Sequence, residues 1–383
     1  MNLDLDGAAV RFRDEVRDWL AANVPAGPLP GVDTAEGNLA HRSWERRLAA
    51  AGLAAVGWPV EYGGRAAPPL HTLLFDEEYH AAGAPVRIGQ NGLFLLAPTL
   101  LAHGTAEQCA RILPPMARAE QVWAQAWSEP DAGSDLASLR SRARRVDGGW
   151  SLSGQKTWSS RAAVADRAFG LFRSTLGPDR HRGLTYLMVD LRAPGVTVRP
   201  IRQLDGGAGF AEIFLDDVFV PDADVIGEPG DGWRVAMSTA AHERGLSLRG
   251  PGRFTAAADR LVRLWLAAGA VSGPPKQPWQ PAGRDRHGER VADAWIRARA
   301  YRMAAYASLA RPVPPSATKL FWSELDVFLH ETALDVLGPF AEADPEWPAG
   351  YLFALAGPIY AGTNEIQRDT LAQRVLGLPR EPR

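Results

Sequence analysis

A chain of 383 residues is long enough to bury a large core, and its length suggests two or three domains. Apolar residues make up 46% and charged residues 22%, an ordinary globular balance, and a formal net charge of −2 offers no field for a nucleic-acid backbone. The single cysteine, Cys109, excludes an internal disulfide and a cysteine-built metal site, so no metal is expected and Cys109 reads as a buried apolar position on a helix.

The N-terminus MNLDLDGAAVRF carries early acids and no apolar h-region, so no signal peptide is expected. No apolar run approaches the ~20 residues that cross a bilayer, and a cytoplasmic protein without membrane contact is expected. Phe12, Val16, Trp19 and Leu20 share one helix face, and Pro25 lies just past its end. Trp44, Leu48 and Leu53 continue a second stripe before GWPVEYGGRAAPP breaks it, and a third helix is predicted from about Leu70 to Ala82 with Leu73, Leu74, Phe75 and Tyr79. Helical character runs to about Pro115. After Trp123 the runs WSLSG, ADRAFGLFR, GLTYLMVDL, GVTVRPI and AEIFLDDVFV follow one another with Gly, Pro and Asp punctuation, the pattern of antiparallel strands. From Gly232 the helical period returns, with Trp233 and Met237 one turn apart and a later stripe of Leu320, Phe321, Leu325, Phe328, Leu329 and Val336. Between Val271 and Gly283 a proline-rich stretch reads as an exposed connection inside a helix pair.

Two stretches stand out: QAWSEPDAGSD at Gln125 to Asp135 and GQKTWSS at Gly154 to Ser160. Each sets hydroxyls and small residues between apolar runs. One reading is an ordinary turn with Trp158 as ordinary core. The other is a cradle for a planar polar cofactor such as a flavin, with hydroxyls from Ser128 and Ser134, close approach at Gly133, and Trp158 with Ser160 forming an aromatic wall and a donor on one strand face.

The Gln125 to Asp135 segment resembles the flavin-contacting signature of the acyl-CoA dehydrogenase family. Three further segments resemble that family in order: AHGTAEQCARILPPM at Ala102 to Met116, FAEIFLDDVFVPDADVIGEPGDGW at Phe210 to Trp233, and IYAGTNEIQRDTLAQRVLGLPR at Ile359 to Arg380. The resemblance implies an α+β fold with an N-terminal helical domain (1–122), a middle antiparallel β-domain (123–230) and a C-terminal four-helix bundle (231–383). It also implies FAD as cofactor, an acyl-CoA substrate and an electron-transfer flavoprotein as acceptor. Members remove the α-proton of an acyl thioester with a carboxylate and pass the β-hydride to flavin N5.

The chain departs from the commonest form of the family at the base. Most members carry it as Glu in Tyr-Glu-Gly-Thr, where this chain has Tyr360, Ala361, Gly362 and Thr363. A minority places it on the helix after the β-domain, immediately before an arginine, and that position is Glu243 before Arg244. His242 is the rival titrating group, although adjacent helical residues point about 100° apart. The resemblance further implies that Gln125, Ala126, Trp127, Ser128, Gly133, Ser134, Trp158, Ser160, Thr363 and Glu365 meet the cofactor, and that Ser134, Arg244 and Gly362 meet the substrate.

A second departure lies where a neighbouring subunit of the family's homotetramers supplies a Gln-x-x-Gly-Gly turn to the flavin. Here the sequence reads Asp335, Val336, Leu337, Gly338, Pro339, and proline removes an amide donor. The chain therefore stands as a homo-oligomer with altered contacts or as one half of a pair with a paralogous partner subunit, as in heteromeric members acting on steroid side chains. A non-catalytic subunit and a carrier-protein-linked dehydrogenase or oxidase are the remaining readings.

Overall fold

The computed structural model describes residues 5–244, 250–272, 283–311 and 313–379, so most of the expected proline-rich connection lies outside the described residues. In chain order the helices α1 (Gly7–Asn23), α2 (Ala35–Ala50), α3 (Pro69–Ala81), α4 (Ala97–His103) and α5 (Ala106–Ala117) precede strands β1 (Trp123–Ala126), β2 (Arg142–Val146), β3 (Gly149–Ser160), β4 (Arg167–Arg173), β5 (Leu184–Asp190), β6 (Val196–Ile201), β7 (Phe210–Pro221) and β8 (Val225–Ile226). Helices α6 (Gly232–Arg244), α7 (Pro251–Ser272), α8 (Gly283–Ala310), α9 (Pro315–Leu337), α10 (Trp347–Ala354) and α11 (Asn364–Thr370) follow. Helices, then a sheet, then helices is the expected α+β order. The second helix stops at Ala50, so the buried Leu53 packs from beyond its end.

The chain divides into two compact units. One comprises Pro25–Ala67 and Pro85–Glu243, the other Met1–Val24, Pro68–Ala84 and Arg244–Arg383. In the first, the sheet runs β6-β7-β3-β2-β4-β5-β8, with β1 pairing β4 in addition. The sheet is antiparallel, as expected, at the β2–β3, β3–β7, β4–β5, β5–β8 and β6–β7 pairings, and departs from that expectation at two others. β1 lies parallel to β4, from Trp123 opposite Arg167 to Ala126 opposite Gly170, and β2 meets β4 in parallel at Arg142 and Arg173. The physical reason is that β1 is reached from α5 and reads WAQA, too short to announce its direction, while the crossover to β4 contains the β2–β3 hairpin. Close pairing needs Gly170, where a Cβ would stand 2.1 Å from the Ala126 carbonyl oxygen. β4 and β5 are buried at nearly every position and so read as unbroken apolar runs, whereas β7 alternates.

The first turn of α5 is closed by a capping box. Thr105 Oγ1 accepts from the Gln108 amide at 3.2 Å and Gln108 Oε1 accepts from the Thr105 amide at 3.0 Å. The Gln108 side-chain Nε2 donates to the carbonyls of Val225 (2.6 Å) and Ala223 (2.9 Å), which ties α5 to β8 and the turn before it.

In the second unit α7, α8 and α9 pack together, α10 and α11 lie on α9, and α1 and α3 join the same group, α3 along α7. The expected C-terminal helical domain is present, with three long helices, α7, α8 and α9, and shorter ones packed on them. The core includes Phe254, Leu261, Tyr301, Trp322, Leu325 and Leu329. The buried face of α9 is rotated from the expected stripe. It carries Lys319, Trp322, Leu325, Asp326, Leu329 and Ala333, while Phe321 is exposed. Counting apolar residues alone missed two buried charges, which are held by Asn364 (2.6 Å to Lys319 Nζ) and Arg253 (2.6 Å to Asp326 Oδ2). No helix among the described residues is long and apolar enough to cross a membrane.

Candidate active site

The two stretches singled out in the sequence meet in the sheet-containing unit. The Thr157 amide donates to the Ser128 carbonyl at 2.8 Å, and the turn after Ser128 is closed by reciprocal backbone bonds between Glu129 and Ala132 (2.9 and 3.1 Å). Beneath them lies a wholly buried ammonium. Lys156 Nζ donates to Glu129 Oε1 (2.8 Å), Leu171 O (2.7 Å) and Trp127 O (3.2 Å), over the ring of Phe172. Glu129 also accepts the amides of Arg140 (2.6 Å) and Ser141 (2.9 Å). Burial pushes the Glu129 carboxyl up, but Lys156 and the amide donors outweigh it and hold the group below its ordinary value. Burial pulls the Lys156 ammonium down to about 8, against the attraction of Glu129 and its hydrogen bond. The sequence reading quoted both residues and gave neither a role. The available signal was a charge inside each of two strand-like, half-apolar segments, since a buried charge needs a partner.

Trp158 is not core. Its backbone is left-handed, at φ +56°, where the β3–β7 register shifts between Lys156 and Ser159. The indole is 60% exposed, with its only described ring contact the edge-to-face one to Phe210 at 6.1 Å. A bulky residue in this region costs on the order of 1–2 kcal/mol. Ser160 follows, half-buried, and its carbonyl accepts from Asn91 Nδ2 at 3.3 Å. The register shift at Trp158 interrupts the strand alternation on which the expected shared face of Trp158 and Ser160 rested. Gln125, Trp127 and Ser128 are half-buried, Ala126 is buried, and Gly133 and Ser134 are exposed. A Cβ built on Gly133 meets nothing within 4 Å, so the chain's own packing does not demand glycine there and the backbone lies open to a ligand. An exposed indole held at an energetic cost, three hydroxyls and an open glycine fit a planar ring with a diphosphate tail.

Glu243 belongs to the same unit. On α6, Val235, Thr239 and Glu243 succeed one another along one face. Thr239 is buried and its hydroxyl lies 3.2 Å from Tyr186 Oη, which accepts from Trp127 Nε1 at 3.1 Å. Burial raises the Tyr186 phenol above its ordinary value, the Thr239 and Trp127 hydrogen bonds lower it, and the Glu243 carboxylate adds a small rise. Glu243 is half-buried rather than turned into bulk water. The adjacent His242 is lowered by burial and then by His103. His103 is itself lowered by burial and by Arg234, whose Nη1 stands 3.2 Å from its ring. The side chain of Arg244 lies outside the described residues.

Gly362, Thr363 and Glu365 belong to the other unit. Ala361 and Gly362 are both left-handed, at φ +58° and +79°, and turn the chain into α11. Thr363 caps that helix, its hydroxyl accepting from the Ile366 amide at 3.3 Å. Glu365 is exposed in the first turn and sits below its ordinary value through its own amide and the Thr363 hydroxyl. Lys319 donates to Pro358 O at 3.0 Å as well as to Asn364, fastening this turn to α9. Gly362, Thr363 and Glu365 thus belong to one compact unit, and Gln125 to Ser160 with Glu243 to the other.

Profiles of the acyl-CoA dehydrogenase N-terminal, middle and C-terminal domains match residues 8–120, 124–218 and 230–376. The chain belongs to the acyl-CoA dehydrogenase family, whose members are flavoproteins, and is an oxidoreductase of that kind. It is 42% identical over 391 residues to the acyl-CoA dehydrogenase IpdE1 of Mycobacterium tuberculosis, covering 97% of this chain and 98% of that one. Among solved structures it is similar to the Tcur3481-Tcur3483 steroid ACAD (26% identity, TM-score 0.82, all of both chains). It is also similar to the ChsE4-ChsE5 complex of Mycobacterium tuberculosis (26% identity, TM-score 0.80, all of both chains).

Proposed function

We propose that this chain binds FAD along the Gln125 to Ser134 and Trp158 to Ser160 stretches and dehydrogenates an acyl-CoA thioester with Glu243 as base. The observation that supports the reading is the position of Glu243 one helical turn after Thr239, whose hydroxyl meets Tyr186, itself bonded to Trp127, in the unit that exposes Trp158. FAD supplies the two-electron acceptor for the hydride leaving the β-carbon. Ser128 and Ser160 donate to the ring edge, Trp158 flanks the ring, and Gln125, Ala126, Trp127 and Gly133 present backbone to it. By family resemblance alone, Ser134 is assigned to the diphosphate and the acyl-CoA, Thr363 and Glu365 to the cofactor, and Arg244 and Gly362 to the substrate. Glu243 takes the α-proton as the carbon–carbon double bond forms. Domain boundaries at 122 and 230 and a cytoplasmic location belong to the same reading, as does reoxidation by an electron-transfer flavoprotein.

A paralogous partner chain is favoured over a homo-oligomer by Pro339, which follows a left-handed Gly338 at the end of α9 and lacks the amide expected of that turn. The similarity to ChsE4-ChsE5, which is a complex, and to a steroid ACAD supports the same choice and extends it to a steroid-derived acyl group. The test is FAD uptake by this chain alone and with a paralogous partner, followed by absorbance near ~450 nm, the flavin band. Bleaching by an acyl-CoA panel should slow on the order of 10²–10⁴-fold in Glu243→Gln. Full-speed bleaching by that variant would remove Glu243 from its role, and a protein colourless under both conditions would leave a scaffold subunit.

A further inference from the structure

A chain of four side chains runs through the buried interior of the sheet-containing unit, from the cofactor stretch to the helix that carries Glu243. Trp127 Nε1 lies 3.1 Å from Tyr186 Oη, Tyr186 Oη 3.2 Å from Thr239 Oγ1, and Thr239 Oγ1 2.8 Å from Thr99 Oγ1. Thr99 Oγ1 ends the chain on the Leu95 carbonyl at 2.7 Å. Proton counting fixes the direction at the cofactor end. An indole nitrogen only donates, so Tyr186 Oη accepts there, and its own proton goes to its other partner, Thr239 Oγ1. Thr239 in turn has two acceptors within reach, Thr99 Oγ1 at 2.8 Å and the Val235 carbonyl at 3.2 Å, and Thr99 has the Leu95 carbonyl, so the Tyr186, Thr239 and Thr99 hydroxyls all have partners.

Trp127 immediately precedes Ser128, and Thr239 lies one helical turn before Glu243. The chain therefore spans from the residue beside the ring-edge donor to the turn beside the base, through β5. We infer that Tyr186 is a positioning residue, whose hydroxyl sets α6 against the end of β1 and so sets where Glu243 stands relative to the cofactor stretch. The inference rests on the reading of Glu243 as base. Burial keeps the hydroxyl a phenol, and its proton is committed to Thr239.

Tyr186→Phe removes one oxygen and leaves an indole N–H and a threonine hydroxyl facing each other across the gap. Thr239→Val breaks the chain without touching the ring, and Thr239→Ser keeps the hydroxyl. In the flavin-free protein, hydrogen exchange of the amides in 235–243 and 123–128 is expected to rise at least ~10-fold in Tyr186→Phe and Thr239→Val, with α2 and β6 unchanged and Thr239→Ser close to the parent. In the FAD-loaded protein the same two variants should slow reduction at saturating acyl-CoA by about 10–100-fold, with acyl-CoA affinity held within about threefold. In a Glu243→Gln background the Tyr186→Phe effect should shrink below about twofold, because a displaced base that is already disabled costs nothing more. Unchanged exchange in 235–243, or a Tyr186 effect that persists at full size in the Glu243→Gln background, overturns the inference. Rapid reduction by Glu243→Gln alone overturns the base assignment instead, and the exchange experiment then decides by itself whether Tyr186 braces α6.

Discussion

Replacing Lys156 with methionine keeps much of the volume and removes the cation paired with Glu129, whose side chain is 7% exposed. The carboxylate would retain the Arg140 and Ser141 amides, so the loss falls at the low end of the ~3–5 kcal/mol seen when one member of a buried pair is deleted. About 3 kcal/mol corresponds to roughly 6–12 °C for a unit of 150–250 residues. Because Lys156 also holds the carbonyls of Trp127 and Leu171, the variant should loosen the Ser128 turn and weaken FAD retention by an order of magnitude or more. Adding Glu129→Gln removes the stranded charge, and the double variant should be more stable than Lys156→Met by at least ~1 kcal/mol. Urea unfolding of the flavin-free protein, followed by titration with FAD, measures both. A Lys156→Met midpoint within ~0.5 kcal/mol of the parent, with FAD affinity intact, would refute the claim that this pair clamps the two stretches.

The strain at Trp158 separates glycine from alanine. Both substitutions remove the indole and should abolish tight FAD retention, but Trp158→Gly should be the more stable by ~1 kcal/mol in thermal unfolding, because only glycine adopts φ +56° without penalty. Thr105→Ala should cost ~1 kcal/mol by the same measurement, through loss of the α5 cap. His103 and His242 are both held below their ordinary value in the folded state, so the unfolded chain binds the extra protons. Their contribution to stability is complete above the unfolded pKa of about 6.5 and falls as pH drops below it. Unfolding of His103→Gln/His242→Gln between pH 5 and 7 should be correspondingly flatter, and His242→Gln should still reduce bound FAD within a few-fold of the parent rate. Glu129, depressed in the folded state, gives stability present at neutral pH that disappears only as pH falls through and below the ordinary carboxylate range, a loss that Glu129→Gln should not show.

What could be read in the sequence was what one segment decides by itself. The helical period around Val16 and Leu20, the start of α6 at Gly232, the strand-like runs and the two polar stretches all declare themselves over a few neighbours. The features that escaped depend on distant partners. β1 is parallel to β4 because of where the chain returns some forty residues later, the Lys156–Glu129 pair is invisible until the hairpin closes, and Trp158 looks like core until a bulge turns it outward. Tyr186 sat in GLTYLMVDL as one more aromatic of a buried strand, and Thr239 in STAAHER as a small residue of a helix. Only their meeting makes them a connection between cofactor stretch and base helix.

Gly170 has no side chain, and its importance comes from that vacancy. The strand leading to Ser128 is seated against β4 at a depth fixed by the missing methyl, so this position works as a spacer of zero thickness. Every alternative amino acid would lift Ala126, and with it the hydroxyl two residues further on. In a library of variants selected for bound flavin, position 170 should be as intolerant as Ser128, although it would touch no part of the flavin.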